Sequence, residues 1–370
     1  MTTPTDRSIV ICGGGLAGLC LARQLVLDGH KAGTIYVLDK LVAPLPEAAK
    51  VGESMFETGT HYLADVLQLR DYLEQKQIRK MGMRFFLGGG DRAFAQRPEI
   101  GLCGYPEDFQ TFQMERGSLE NHLRELVRKA GVNLLEGVSV EEVDLAEGER
   151  AHVVYYRDAA GADRTLQARW VVDATGRRRL LQKRLELTQP RLGHSSSWFY
   201  ARPWVSVEDF VPEGNRPWHD RVPCGNRVYS TTQLCGDGYW VWLIALPNEL
   251  MSIGIVVRED LHPFEQISTK EGALAWLQKR EPELAKALAS REVTGFRTAR
   301  NYSYSSSRIF SAQRWACVGE AAVFADPLLA NGVDLIGVAN LITGKLIELD
   351  RLGQLTPETV DAINRFALTF

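Results

Sequence analysis

The segment SIVICGGGLAGLCLARQLVLDGH, residues 8–30, restricts what this chain can fold into more than any other. A short β-branched run, Ser8–Cys12, leads into three glycines. Leu16, Leu19, Ala22, Arg23 and Val26 then follow at helical spacing, up to an Asp28-Gly29 stop. Gly13, Gly15 and Gly18 fit GxGxxG. Glycines at this spacing let the backbone turn sharply and approach a pyrophosphate, which then sits on a helix N-terminus carrying roughly +0.5 of a charge. The next strand, TIYVLD, ends at Asp39, 26 residues after Gly13, where an acid can bind ribose hydroxyls. Strand, turn, helix and acid together point to a Rossmann-like α/β domain with a dinucleotide site. They do not separate one dinucleotide from another.

Composition narrows the class. With 370 residues, 45% of them hydrophobic, the chain is long enough for two structural units around large cores. A formal charge of −3 gives no reason to expect nucleic acid or an anionic membrane as partner. The six cysteines form no CxxC and no His-Cys cluster, so no metal site is expected and the thiols read as reduced. The N-terminus MTTPTDRSIVICGGG runs straight into the first strand without the pattern of an export signal. No apolar segment reaches the roughly 18 residues of a membrane span. The expectation is a cytoplasmic protein.

Two later motifs discriminate further. LQARWVVDATGRRRLL (166–181) reads as a strand running into Asp173-Ala-Thr-Gly176 and a basic helix start. RWACVGEAAVFADPLLANGVDLIGVAN (314–340) reads as a strand, Gly319-Glu320, Asp326-Pro327, and a helix around Gly332. The order GxGxxG, DATG, GE…DP resembles the superfamily of FAD-dependent aromatic monooxygenases and flavin halogenases. That resemblance implies FAD as cofactor. The late Glu320 segment would reach the ribityl chain, and the helix after Asp326-Pro327 would point its N-terminus at the flavin ring. Glu320 stands where the family has Asp. FQMERGSLENHL (112–123) matches the family's arginine-bearing helix start and implies that Arg116 lies near the FAD.

GDGYWVWLIALP (236–247) resembles the WxWxIP signature of the tryptophan-halogenase-like branch, with Ala245 in place of the proline. In a strand, side chains two apart share a face, so Trp240, Trp242 and Ile244 point the same way. The two tryptophans suit either the core of a sheet or the wall of an aromatic pocket. KVGESMFETGTHY (50–62) and IRKMGMRFF (78–86) carry a second marker. By resemblance Glu53 lies in a loop beside the flavin. Lys80 sits in K-x-G-x-x-F, the setting of the halogenase lysine that carries or orients hypohalous acid. The residues alone also allow a solvated lysine at the end of the charged helix DYLEQKQIRK. His61, Tyr62, Trp198, Trp240 and Trp242 are the candidates for a substrate-pocket wall by position and type.

Departures from the halogenases of free tryptophan matter. Those carry glutamate and serine after the DP segment, where this chain has Leu329 and Ala330. The acid paired with the lysine is thus expected to be missing, and the chain looks closer to short halogenase-like monooxygenases. Those include the flavoproteins that mature tryptophylquinone cofactors. The resemblance then implies an FAD monooxygenase in which a flavin hydroperoxide hydroxylates an electron-rich aromatic, of indole or phenol type, free or as a peptidyl tryptophan. A halogenase acting through Lys80 is the alternative, and a flavoprotein maturation partner for a client protein is the third reading. With no second GxGxxG evident, a separate flavin reductase or transient nicotinamide docking is the expected electron source. The expected fold is a discontinuous FAD domain (1–84, 112–184 and 295–370) and a mixed-sheet substrate domain (85–111 and 185–294). Strand readings include two strands over 230–257, an edge strand in PRLGHSSSWFYARPW, and a helix pair broken at Pro282.

Overall fold

The computed structural model describes residues 8–369 apart from 49, 107–108 and 192. The N-terminal MTTPTDR, and residues 107–108 of the first insertion, therefore lie outside the described residues.

The first sheet has six strands in the order 310–311, 315–317, 170–173, 9–12, 35–39, 133–136. All neighbours are parallel except the first pair. Parallel strands joined by crossovers are covered on both faces, which is why IVIC, IYVLD and WVVD read as near-continuous apolar runs. Helices Leu16–Leu27, Arg116–Lys129 and Gly332–Arg351 supply much of that cover. Helix Arg116–Lys129 begins where Glu115 accepts hydrogen bonds from the backbone N–H of Gly117 (2.9 Å) and Ser118 (2.6 Å). Each fully buried Val, Ile or Leu in this core contributes roughly 1.5–3 kcal/mol. A three-stranded antiparallel sheet, 139–144, 152–157 and 163–168, leads back to strand Trp170–Asp173.

The second sheet has seven strands in the order 292–299, 194–202, 251–258, 239–245, 231–236, 83–87, 99–101. Alternation divides its residues cleanly. Val241, Leu243, Ala245, Phe199, Ile253 and Ile255 face a core shared with helices Lys270–Arg280 and Pro282–Leu288. Trp240, Trp242, Ile244, Trp198 and Tyr200 belong to clusters on the opposite face.

Three readings of the strands need correction. Residues 230–257 make three strands rather than two, because Pro247 and two left-handed residues, Asn248 (φ 58°) and Glu249 (φ 56°), turn the chain a second time. The strand His194–Arg202 is not an edge; it lies between 251–258 and 292–299. Strand Glu292–Ala299, which straddles the expected boundary at 294/295, belongs wholly to the second sheet. Among the described residues no helix is long and apolar enough to cross a membrane.

Candidate active site

A cavity of about 540 Å³ opens beyond the carboxyl ends of the central parallel strands, where open α/β sheets place their ligands. Its second wall is the tryptophan-bearing face of the seven-stranded sheet.

The glycine end is built by close approach. Gly13 has φ +116°, and a Cβ there would stand 2.2 Å from the Ala174 carbonyl oxygen, so only glycine lets the two turns touch. A Cβ on Gly18 would meet the Gly13 oxygen at 2.0 Å. Gly15 caps helix Leu16–Leu27 without a side-chain acceptor, which leaves the helix N-terminus facing the cavity with its N–H groups open to an anion. Lys40, Lys50, Arg177 and Arg178 add positive charge to the wall.

Asp39 lines the cavity and pairs with the fully buried Arg124, whose Nη2 also donates to the Gly14 carbonyl at 2.7 Å. Arg116 donates to the Val51 carbonyl (2.9 Å) and to Glu120 (2.7 Å), tying the 50–54 loop to helix Arg116–Lys129. Its Nε is buried without a partner. The Tyr200 hydroxyl donates to Glu53 Oε1 at 2.8 Å. Burial pushes the Glu53 carboxyl up to about 7, against the opposing effect of Tyr200. Glu320 is also raised by burial.

Gly13, Gly15, Asp39, Glu53, Arg116, Gly176, Glu320, Gly332, Trp198 and Trp242 all stand on the wall of this one cavity. The other residues singled out in the sequence stand elsewhere. Gly18 packs under the glycine turn. The Asp173 carboxylate accepts from the Thr175 and Leu181 backbone N–H groups (2.9 and 2.7 Å), so it shapes the turn that faces the cavity rather than facing it. Asp326 accepts from Leu328 N and the Tyr302 hydroxyl. His61 is exposed and paired with Asp65, one helical turn on. Tyr62 is buried between helices, its hydroxyl bonded to Gln24 and Asn340. The helical turn at 57–66 sends these two side chains away from the cavity, which corrects their expected place in a pocket. Trp240 packs behind the wall with Val256, Ala299 and Tyr302.

Lys80 lies off the wall too, but it is not solvated. It closes strand Ile78–Lys80, is 1% exposed, and donates to the Met55 carbonyl at 2.9 Å. Its ammonium stands 4.5 Å from the centre of the Phe56 ring. Burial pushes it down to about 8, opposed by the fields of Glu57 and Asp334. Asp334 sits in the first turn of helix Gly332–Arg351; Oδ1 accepts from Gly59 N at 2.9 Å and Oδ2 is buried without a partner. Leu329 and Ala330 supply no acid here, but Asp334 brings one within electrostatic reach of Lys80. Sequence reading missed Asp334, Lys50, Arg124 and Gln233. Only Gln233 carried a signal, an alternate-residue position on a strand of the tryptophan hairpin.

The tryptophan halogenase family model matches residues 106–367, well over half of the chain. The chain belongs to the tryptophan halogenase family. Among curated relatives, the flavin-dependent halogenase chlA of Dictyostelium discoideum is 27% identical over 360 residues, covering 89% of this chain and 58% of that protein. The tryptophan 2-halogenase of Chondromyces crocatus is 24% identical, covering 90% of this chain and 60% of its own length. The chain therefore spans about three fifths of the length of these two relatives. In fold it is similar to the crystal structure of halogenase PltM, with TM-score 0.81, 18% identity, and 98% of this chain and 74% of that one covered. PltM has also been solved with phloroglucinol and FAD.

FAD is the cofactor, in keeping with the family, and the residues present fit it: an open glycine cradle, an uncapped helix N-terminus and wall cations for the pyrophosphate. Among the described residues no cluster of His, Cys, Asp or Glu could hold a metal. Glu53 predicts a pH effect on the cofactor. Its carboxyl is neutral below about 7 and gains a negative charge above it, inside a cavity that takes an anionic cofactor. The FAD dissociation constant is expected to rise roughly 3- to 10-fold between about pH 6 and pH 8, and Glu53→Gln to flatten that rise. A pH-independent affinity in the unsubstituted protein would remove Glu53 from this role.

Proposed function

We propose that the chain acts on an electron-rich aromatic ring held against the tryptophan-bearing sheet, with halide as co-substrate and Lys80 as the group that hands the activated halogen to the ring. FAD, when bound and reduced, supplies the oxygen chemistry. The chain's own residues bind it, keep water out and hold a proton at Lys80 Nζ. The observation that carries this reading is the burial of Lys80. A lysine is seldom fully buried without an ion pair, and this one has a carbonyl, an aromatic face and the fields of Glu57 and Asp334 around it. The similarity to flavin-dependent halogenases supports it.

A second reading, hydroxylation of the same ring without halide, is favoured by Leu329 and Ala330 at the positions where an acid and a hydroxyl would assist the lysine. Electrons come from a separate flavin reductase in both. The test is to reduce the FAD-loaded protein anaerobically, mix it with oxygen with and without bromide, and weigh the products formed from a panel of indoles and phenols. A brominated product supports the first reading. A product heavier by one oxygen, unaffected by bromide, selects the second.

A further inference from the structure

The aromatic end of the cavity contains polar atoms with nothing to bond. Strand register puts Gln233 opposite Trp242, Trp242 opposite Gly254, and Gly254 opposite Trp198, so the four form one row across the sheet. Gly254 is required there: a Cβ would stand 2.0 Å from the Trp242 ring, which lies across it. Gln233 is 2% exposed. Its Nε2 donates to the Leu328 carbonyl at 3.3 Å, and only the nitrogen can do so, which leaves Oε1 buried, on the cavity wall and without a partner. Ser196, two residues before Trp198 on the same strand face, is also on the wall with its hydroxyl buried and unbonded. The cations of the wall are Lys40, Lys50, Arg116, Arg177 and Arg178. They belong to the end of the second parallel strand, the loop anchored on helix Arg116–Lys129 and the turn after Trp170–Asp173, all on the cofactor domain.

A carbonyl oxygen only accepts, so a ligand that fills this end without offering a donor leaves Gln233 Oε1 unpaired in a dry site. A carboxylate there would meet no cation of the cavity wall on the tryptophan sheet, since Arg297, in register with Trp198, is exposed and off that wall, and it would repel that oxygen. We infer that Gln233, aided by Ser196, selects a neutral aromatic ring carrying its own N–H or O–H, and disfavours rings whose group at that point is a carboxylate or a bare ether. The inference rests on the aromatic-substrate reading above and names the ring chemistry it requires.

The test is a binding measurement without turnover, in which the oxidised FAD-loaded protein is titrated with indole and benzofuran, and with phenol and fluorobenzene, following the flavin absorbance. Each pair differs chiefly in the donor. The unsubstituted protein is expected to bind the donor-bearing ring roughly 10- to 100-fold more tightly. Gln233→Met, similar in volume and lacking the acceptor, is expected to lose that preference while FAD affinity and the visible spectrum stay as they were; Ser196→Ala should reduce it in part. Equal binding within each pair, or a preference that survives in Gln233→Met, overturns the inference. So does a changed FAD affinity or spectrum in that variant, which would assign Gln233 to the flavin. If none of the four rings binds, the aromatic-substrate reading falls and the inference with it.

Discussion

Lys80→Met is expected to cut bromide-dependent product by at least about 100-fold, the usual scale of a lost proton donor, while FAD binds within about threefold of normal. It is also expected to leave the protein no less stable. Burial moves the lysine from its ordinary 10.5 to about 8, and the shift corresponds to roughly 3 kcal/mol. Because the folded-state value is depressed, the associated stability is complete above 10.5 and lost as pH falls through about 8. At pH 7 the protein therefore carries the full penalty of a buried ammonium, and methionine removes it. The lost bond to the Met55 carbonyl offsets about 1 kcal/mol. The variant should then unfold about 2 kcal/mol later at pH 7, with the difference closing as pH rises through 8 toward 10.5. A halogen-transferring lysine that works as an ammonium donor also predicts that product formation declines above about pH 8. Normal product yield in Lys80→Met would end its functional role. A large loss of stability would show that the side chain is held for packing.

Arg124→Met should have the opposite profile, with folding damaged first. This guanidinium is fully buried and joins Asp39, Glu136 (2.6 Å) and the Gly14 carbonyl. Removing it takes the ion-pair partner from Asp39 and the donor from the Gly14 carbonyl, while Glu136 keeps Arg128, and deleting one partner of a buried pair costs about 3–5 kcal/mol. Chemical denaturation of the FAD-free protein measures this. Because Asp39 lines the cofactor end of the cavity and Gly14 lies between Gly13 and Gly15 on its wall, FAD affinity is expected to fall at least about tenfold as well. Arg124→Lys, with one compact charge instead of a planar fork, should fall between the two. An unchanged denaturation midpoint in Arg124→Met would mean that Asp39 and Glu136 are satisfied by other means.

The contrast between these residues marks where sequence reading reached. Gly13, Gly15, Arg116, Gly176 and Glu320 were legible because each answers to a local demand of the backbone or to a fixed order of motifs along the chain, and all five face one cavity. Asp39 was legible as an acid at a strand end, yet its guanidinium partner lies 85 residues away on another element. His61 and Tyr62 were misplaced because adjacency to the Gly52-Glu53-Ser54 loop says nothing about which way a helical turn then points its side chains. Lys80 followed a charged helix and allowed a solvated reading. It is buried because strand Ile78–Lys80 pairs with 111–113, a contact between segments some thirty residues apart.

Local chemistry in the chain by itself determined the parallel α/β sheet, the glycine-lined dinucleotide cradle, the face shared by Trp240, Trp242 and Ile244 and the family to which they belong. Backbone conformation and residue period are properties of short stretches, and they survive without knowledge of partners. Only the tertiary structure decided which polar atoms are left unbonded, among them Gln233 Oε1, Ser196 Oγ and Asp334 Oδ2, and that the ammonium of Lys80 is buried against a carbonyl and an aromatic face. Burial and electrostatic field arise from everything packed around an atom, and those neighbours come from segments that no window of sequence places together.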